Sequence, residues 1–340
     1  MTAAALLASA ALVALAALWA FTFVQTRRIE ARYPPVGARI DVGGGAIHVV
    51  DTAPLGGERG AVLLIHGASG NFADLNVALS DRLSAEGFRV LSVDRPGHGW
   101  SDRVSGRDAC SPARQAALLR RAAERLGVDA AIVVGHSLGG MTALAMALDW
   151  PEFVRALVLI SPLSHPWPGG VAKRYNVGAH PVLGPPFRRL LALPIGLTRM
   201  RSGVQGAFEP NSPPPRYIEA TRLPLVLLPQ RFLHDCEDVL RAKAAVAVLS
   251  PRYAEIRAPT EIVTGDTDSV VSPQIHSAGC ARNIPGARLT TLAGVGHLPH
   301  HIAPAQIVAI ILEAGRRACE TQIVLSERSA IEDSGVSRAN

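Results

Sequence analysis

The feature that most restricts the fold of this sequence is a series of short, mostly apolar runs that lack strict polar alternation. Four of them are Ala61–Ile65, Phe88–Val93, Ala130–Val134 and Val154–Ile160. Such runs are typical of strands that are covered on both faces, as in parallel sheets. Segments with helical spacing, such as Leu138–Asp149, separate the runs. This alternation predicts an α/β fold with a doubly wound, mostly parallel sheet.

A break in the alternation divides the sequence into a core and an insertion. Residues 162–250 are rich in Pro, Leu and Arg and contain no convincing strand pattern, whereas residues 261–264 restore the strand pattern. We therefore expect a core of residues 36–161 and 251–318, with residues 162–250 forming a mainly helical lid insertion. The polar residues 319–340 are expected to form a flexible tail.

The N-terminal residues 1–26 form a separate unit. The stretch from Thr2 to Thr26 has no charged side chain and is long enough to cross a bilayer as a helix. A cleaved signal peptide is the alternative, but such peptides normally begin with a basic region, and no basic side chain precedes this run. We therefore expect a single-pass membrane anchor. Because Arg27, Arg28 and Arg32 follow the span, the large domain is expected on the cytoplasmic side rather than the periplasmic or extracellular side.

The charge composition argues against a nucleic-acid partner. The 340 residues include 34 Lys and Arg and 28 Asp and Glu, which gives a formal net charge of +6, and there is no Lys/Arg-rich run. Nucleic-acid-binding domains normally concentrate their basic residues in one patch or stripe. The 4 cysteines include no C-x-x-C pair, and we interpret them as free or structural thiols.

The pentapeptide Gly135–Gly139 carries the strongest indication of chemistry. It has the pattern G-x-S-x-G, and it lies between the apolar run that ends at Val134 and the helical segment that begins at Leu138. A serine in this context lies on a sharp strand-to-helix turn that exposes its hydroxyl at the edge of the sheet. Ser137 is therefore the candidate nucleophile, and a glycine-rich turn without chemistry is the alternative.

A serine nucleophile needs a base within hydrogen-bond reach, and the base needs an orienting carboxylate. Asp266 and Asp268 directly follow the strand pattern that ends at Thr264. Asp268 lies farther into the loop and is the candidate acid, whereas Asp266 is expected to cap the turn. His297 follows a glycine-containing loop after the last strand pattern and is the candidate base.

Backbone amides are the expected stabilisers of an oxyanion. The turn His66–Gly70 ends the strand that begins at Ala61. The N–H of Ala68 in this turn and the N–H of Leu138 after the serine form the expected oxyanion hole.

Other acidic and histidine residues are weaker candidates. Asp235 and Asp238 lie within the insertion and are expected to be solvated. His300 and His301 form a His-x-x-His-His pattern with His297, but no H-E-x-x-H motif or Cys partner accompanies them. We therefore predict no metal site and expect His300 and His301 to be supporting or surface residues.

Together these motifs resemble the α/β-hydrolase superfamily, specifically its lidded serine hydrolase branch with a nucleophile elbow. The matching pieces are Ile65–Gly67, Asp94–Ser101, Gly135–Gly140, Gly265–Asp268 and Gly294–His297. The resemblance implies the α/β-hydrolase fold and no cofactor, and it makes Arg95 and His98 structural. Epoxide hydrolases and haloalkane dehalogenases of the superfamily carry aspartate at the nucleophile position, so Ser137 argues against both activities.

The function predicted from the sequence is a membrane-anchored serine hydrolase that cleaves an ester or similar acyl bond. The Leu, Pro, Val and Arg residues of the insertion suggest a small, lipophilic acyl substrate. A carbon–carbon bond hydrolase or an acyltransferase using the same triad is an alternative. A non-catalytic binding or accessory protein is another, although such proteins usually lose a triad residue.

Overall fold

An eight-stranded sheet lies at the centre of the computed structural model, which describes residues 2–104 and 106–336. The strands are β1 Ala38–Asp41, β2 Ala46–Thr52, β3 Ala61–Ile65, β4 Arg89–Val93, β5 Ala131–His136, β6 Val154–Ile160, β7 Thr260–Gly265 and β8 Arg288–Leu292. Their order across the sheet is β1-β2-β4-β3-β5-β6-β7-β8. Only the β1–β2 and β2–β4 pairs are antiparallel. The predicted doubly wound, mostly parallel α/β sheet is confirmed.

Helices follow most of the strands. In chain order they are α1 Ala3–Arg32, α2 Ala73–Leu75, α3 Asp81–Ala85, α4 Pro112–Arg125, α5 Leu138–Asp149, α6 Lys173–Ala179, α7 Gly184–Phe187, α8 Leu193–Phe208, α9 Tyr217–Ala220, α10 Pro229–Leu249, α11 Ser277–Asn283, α12 Pro299–Ile302 and α13 Pro304–Val336. Short π-helical turns join α2 to α3 and α7 to α8. The residues at the two ends of helix α4 explain where this helix begins and ends. Ser111 caps its first turn, Pro112 occupies the first position, and Gly127 with a φ of 75° follows its end.

Both faces of the sheet are buried, which explains the uninterrupted apolar runs. Successive side chains of a strand point to opposite faces. Leu63 and Ile65 pack in the core on the side of α4 and α5, whereas Val62 and Leu64 pack in the core on the side of α3 and α13. The candidate residues therefore lie at the ends of strands that are fixed by packing on two sides.

Helices α6 to α10 form the insertion between β6 and β7. Helix α10 packs against α5 and α6, and α8 contributes Val204 and Phe208 to a small apolar cluster with Leu298. Leu298 follows His297, so the insertion contacts the loop of the candidate base directly. Whether the insertion opens and closes as a lid stays a prediction.

Helix α1 continues beyond the predicted boundary at residue 26 and ends at Arg32. It is the one helix of the described residues that is long and apolar enough to cross a membrane, and its most apolar stretch is not buried. Its last turns behave differently, because Ile29 and Tyr33 pack in a buried cluster with Leu193, Leu225 and Leu228 of the insertion. The helix is therefore attached to the insertion at one end.

The C-terminal segment differs from the expected flexible tail at residues 319–340. Helix α13 continues through this region to Val336. The physical reason is that no Pro follows Pro304 and no Gly lies between Gly315 and Gly335, while Ala, Leu, Glu and Arg are strong helix formers. Whether this helical segment is flexible stays a prediction, and residues 337–340 lie outside the described residues.

Candidate active site

Ser137 lies between the end of β5 and the start of α5, with a φ of 51° and a ψ of −119°. A positive φ is rare for a residue with a side chain, and it marks a strained turn that neighbouring packing must hold. A Cβ atom at Gly135 would lie 2.7 Å from the carbonyl oxygen of Gly139, and one at Gly139 would lie 2.3 Å from that of Ile65. Gly135 therefore lets β5 approach the first turn of α5, and Gly139 lets α5 approach the end of β3.

The candidate base and acid meet Ser137 in one hydrogen-bonded series. The Ser137 hydroxyl lies 3.0 Å from Nε2 of His297, and Nδ1 of His297 lies 2.8 Å from Oδ2 of Asp268. The other carboxylate oxygen of Asp268 accepts hydrogen bonds from the amides of Val270 and Val271, both at 2.9 Å. The structure thus brings together the three residues singled out in the sequence, and it fixes the orientation of Asp268 from both of its oxygens.

The loops of the acid and the base are held against each other. Asp266 accepts a hydrogen bond from the amide of Gly294 at 2.7 Å and so joins the two loops. A Cβ atom at Gly265 would lie only 1.9 Å from the carbonyl oxygen of Val295. Close backbone contact at Gly265 therefore sets the distance between Asp268 and His297.

The two predicted oxyanion donors lie beside Ser137. Leu138 is the first residue of α5, where backbone N–H groups have no partner within the helix. Gly67 faces the nucleophile so closely that a Cβ atom there would lie 3.0 Å from Cβ of Ser137, and Ala68 follows it. Within the described part of the chain, neither the Ala68 amide nor the Leu138 amide donates a hydrogen bond, so both remain available to a bound oxygen.

Asp235 holds the loop that carries Ala68, and the expectation that it is solvated is wrong. Its carboxylate is buried, and its two oxygens accept hydrogen bonds from the amide and the hydroxyl of Ser69, both at 2.7 Å. Ser69 itself has a positive φ of 49°. Burial alone would raise the pKa of Asp235, but His98 and the Ser69 hydrogen bonds lower this pKa to about 2. An ionised carboxylate from the insertion therefore fixes a strained residue next to the oxyanion site.

Asp238 is also buried rather than solvated. It lies one helical turn after Asp235 on α10 and forms ion pairs with Arg95 at 2.6 Å and Arg103 at 2.9 Å. Arg95 also donates from its side chain to the carbonyl oxygen of His66. The interpretation of Arg95 as a structural residue agrees with these contacts. Both aspartates were misjudged because the docking of α10 on the core, which buries them, is not visible in the insertion's own sequence.

A group of histidines behind His297 was not anticipated as a unit. Nε2 of His136 lies 3.1 Å from the carbonyl oxygen of His297, and the two rings are 4.9 Å apart. Burial lowers the pKa of His136 well below its ordinary value, and the nearby His300 and His297 lower this pKa further. His136 is therefore neutral and donates from Nε2. His136 therefore supports the backbone of the candidate base.

Asp74 holds the other two histidines of the group. Nε2 of His300 lies 3.3 Å and Nε2 of His301 lies 2.9 Å from its carboxylate, which also accepts a hydrogen bond from the hydroxyl of Tyr217 at 3.1 Å. Burial opposes ionisation of Asp74, but His300 and His301 outweigh it and lower the pKa well below its ordinary value. The potential metal-ligand atoms of Asp74, His300 and His301 lie within 4.8 Å of one another, and such a group of atoms can hold a metal ion. Three hydrogen bonds already satisfy this carboxylate, and the absence of a metal stays a prediction.

The insertion contacts both sides of the site. Asn211 accepts a hydrogen bond from the amide of Gly296 at 3.1 Å and donates to the carbonyl oxygen of Gly294 at 2.9 Å. On the other side, Asp235 holds Ser69, as described above. The side chains of Ser137, Asp268 and His297 are consequently buried, with relative exposures of 8%, 6% and 6%. A buried hydrogen-bonded series of this kind can transfer a proton from a hydroxyl with little competition from water.

Comparisons with known proteins agree with this architecture. A sequence model of the alpha/beta hydrolase fold matches residues 60–304. The magnesium-chelatase 30 kDa subunit of Rhodobacter capsulatus is 31% identical over 292 residues, covering 84% of this chain and 98% of that protein. A 2-hydroxy-6-oxo-6-phenylhexa-2,4-dienoate hydrolase of Burkholderia cepacia is 27% identical over 262 residues, covering 74% and 84%. The structure of an esterase from Exiguobacterium antarcticum superposes with a TM-score of 0.64 at 20% identity, covering 83% of this chain and 100% of that chain, and this likeness concerns the fold alone.

Proposed function

Because this chain belongs to the α/β-hydrolase fold family, we propose that it is a serine hydrolase that cleaves an ester or a related acyl bond. The observation that carries the proposal is the hydrogen-bonded series from Ser137 to His297 at 3.0 Å and from His297 to Asp268 at 2.8 Å. A serine hydroxyl becomes an effective nucleophile only when a base of this kind accepts its proton.

The reaction follows from this geometry in two halves. The Ser137 oxygen attacks the carbonyl carbon while its proton passes to Nε2 of His297, and Asp268 stabilises the imidazolium that forms. The carbonyl oxygen becomes an oxyanion and accepts hydrogen bonds from the amides of Ala68 and Leu138. The bond to the leaving alcohol then breaks, the alcohol takes the proton from His297, and an acyl-enzyme remains on Ser137. Water repeats the sequence and releases the acid.

A lipophilic acyl substrate is supported by the apolar surface of the insertion and by helix α1. The insertion exposes apolar side chains such as Val182, Leu191 and Ile195. Helix α1 would keep the enzyme beside a bilayer in which such substrates concentrate. Both features would bring lipophilic substrates to the enzyme, and the preferred acyl chain length is measured by the ester series below.

Hydrolysis of p-nitrophenyl esters of increasing acyl length tests the proposal. The wild-type chain is expected to release p-nitrophenol, with kcat/KM rising from acetate towards longer acyl groups. Ser137→Ala should lower kcat by at least about a thousandfold. Ser92→Ala is the matched control, because Ser92 is buried in β4 and its hydroxyl has no partner among the described residues. Equal activity of the Ser137→Ala variant and the control contradicts the proposal.

Carbon–carbon bond hydrolysis is an alternative within the same chemistry. It is favoured by the similarity to the hydrolase of Burkholderia cepacia, whose name describes a dienoate substrate. The same histidine could move protons for cleavage of a carbon–carbon bond next to a ketone. Loss of the absorbance of a 2-hydroxy-6-oxo-dienoate without ester turnover would favour this reaction. Formation of a new ester between the acyl group and an added alcohol would reveal acyl transfer.

An accessory role without turnover is a second candidate function. It is favoured by the similarity to a magnesium-chelatase 30 kDa subunit, which extends over 98% of that protein. In this case the chain would assist a chelatase and the Ser137–His297–Asp268 series would be unused. Ser137→Ala would then leave the assisted chelatase activity unchanged, whereas a hydrolytic role in the same process would require Ser137.

The proposed location is a membrane, with α1 as a single-pass anchor. The length and apolar composition of α1 support this location, although a cleaved signal peptide has the same composition. The basic residues that follow the span favour a cytoplasmic catalytic domain. The N-terminal sequence of the mature protein and protease protection of the domain in membrane vesicles test these two points.

A further inference from the structure

The first part of the insertion has an unusual charge composition. No acidic residue occurs between Glu152 and Glu209. The segment 162–208 within this interval nevertheless carries six basic residues, which are Lys173, Arg174, Arg188, Arg189, Arg199 and Arg201. A run of this kind produces a positive potential that internal carboxylates do not neutralise.

The basic side chains are exposed and available. Arg189, Arg199 and Arg201 are all exposed, and none of them forms an ion pair with another described residue. Arg252, in contrast, pairs with both Asp149 and Glu255. The charges of Arg189, Arg199 and Arg201 are therefore not neutralised by a carboxylate of the described residues.

Apolar side chains of the same segment are also exposed. Val182 is 72% exposed, and Leu191 and Ile195 are 40% and 43% exposed. Leu191 and Ile195 are four residues apart at the junction of the π-helical turn and α8, so they lie on one side of the helix. Exposed large apolar residues interspersed with arginines are characteristic of helices that lie in a membrane interface.

Helix α1 is packed against the same segment. Ile29 and Tyr33 contact Leu193, which belongs to the helical stretch that also carries Leu191 and Ile195. Polar contacts fix the same junction, with Arg32 paired to Glu219 at 2.9 Å and the indole of Trp100 donating to the carbonyl oxygen of Tyr33 at 3.1 Å. The segment that carries the exposed side chains is therefore fixed to the end of the candidate membrane span.

We propose that the exposed side chains of Val182, Arg189, Leu191, Ile195, Arg199 and Arg201, together named the basic apolar face, bind the anionic lipid surface of the bilayer that α1 enters. The arginines interact with lipid phosphates and the apolar side chains enter the region between headgroups and acyl chains. Elsewhere in the insertion, Asp235 holds Ser69 and Asn211 holds Gly296. The inference rests on the proposed membrane span but not on the proposed hydrolysis.

Nitroxide labels on the full-length chain in lipid nanodiscs test this inference. The exposed Cys319 is first replaced by Ser, because the other three cysteines are buried. Labels are then placed by Leu191→Cys and Ile195→Cys, with Leu55→Cys as the matched control. Leu55 is 65% exposed and lies in the loop before β3, at the sheet edge opposite the candidate site. In nanodiscs containing phosphatidylglycerol, the labels at 191 and 195 are expected to be more accessible to oxygen than to a water-soluble nickel complex, with the reverse order at 55.

The triple substitution Arg189→Glu, Arg199→Glu and Arg201→Glu tests the charge part of the inference. It should return the labels at 191 and 195 to water, as should nanodiscs of phosphatidylcholine alone. Immersion that persists in both cases overturns the anionic-lipid assignment. The inference as a whole is overturned if the labels at 191 and 195 are as accessible to water as the label at 55. It is also overturned if a protein partner or a second copy shields these labels from both probes. A label at Leu12→Cys reports separately whether α1 is in the bilayer, and turnover of a soluble ester reports separately on the site.

Discussion

Replacing Asp235 by Asn tests whether the insertion positions the backbone donors of the candidate site. Both oxygens of Asp235 accept hydrogen bonds of 2.7 Å from Ser69, which has a φ of 49° and directly follows Ala68. Asparagine keeps the size of the side chain but removes its charge and replaces one acceptor by an amide. Hydrogen bonds to a charged acceptor are roughly twice as strong as those to a neutral one.

The expected effect follows from these two bonds. Loss of the charge weakens them by about 1 to 3 kcal/mol in total. If this loss appears as poorer placement of the Ala68 amide, kcat falls roughly 5- to 160-fold. KM should change little, because the oxyanion exists in the transition state and not in the bound substrate.

Steady-state kinetics with active-site titration measures this effect. A trifluoromethyl ketone, which forms an oxyanion on the serine, should lose affinity by the same factor as kcat/KM. Glu237→Gln is the matched control on the same helix, since Glu237 pairs with Arg103 and does not touch Ser69. A decrease in the fraction of active enzyme with unchanged affinity for the ketone would refute the positioning role, as would an unchanged kcat.

Three further predictions concern stability. Burial lowers the pKa of His66 to about 3 and that of His300 to about 4 in the folded chain. As the pH falls, both histidines are therefore protonated in the unfolded chain while they are still neutral in the folded chain. The free energy of unfolding in urea should therefore fall by about 2 kcal/mol per histidine from pH 7 to pH 5, and equal stability at the two pH values contradicts this. Asp238→Asn leaves Arg95 buried without its partner and should reduce stability by about 3 kcal/mol, whereas Asp149→Asn, which breaks only the partly exposed pair with Arg252, should cost less than about 1 kcal/mol. Gly265→Ala places a Cβ atom against the carbonyl oxygen of Val295 and should lower both Tm and activity, whereas Gly203→Ala, in open space within α8, should raise Tm; equal Tm changes would contradict the close-contact argument.

The residues of the candidate triad could be singled out from the sequence because each follows a strand. Strand patterns before Ser137, Asp268 and His297 place all three at the carboxyl edge of one parallel sheet, and only a few polar residues compete for each role. The same reasoning gave the fold, because the runs in β3, β5 and β6 are apolar on both faces.

The parts that escaped prediction depend on contacts between distant segments. Asp235 and Asp238 look like ordinary helix-surface residues until α10 docks on Arg95 and Ser69. Asp74 meets His300 and His301 across more than two hundred residues of sequence, and nothing in the sequence around Asp74 connects it with the His-x-x-His-His pattern. A positional signal existed for the aspartates, because their spacing of three residues places both on one face of a helix.

The nucleophilic role of Ser137 is tested most directly by covalent labelling with a fluorophosphonate. The mass of the intact wild-type chain should increase by one phosphonyl group, and peptide mapping should locate it on Ser137. The label should be retained in Ser92→Ala and lost in Ser137→Ala, and it should form far more slowly in His297→Gln. An unlabelled wild-type chain, or a label that maps to another residue and persists in Ser137→Ala, would contradict the account.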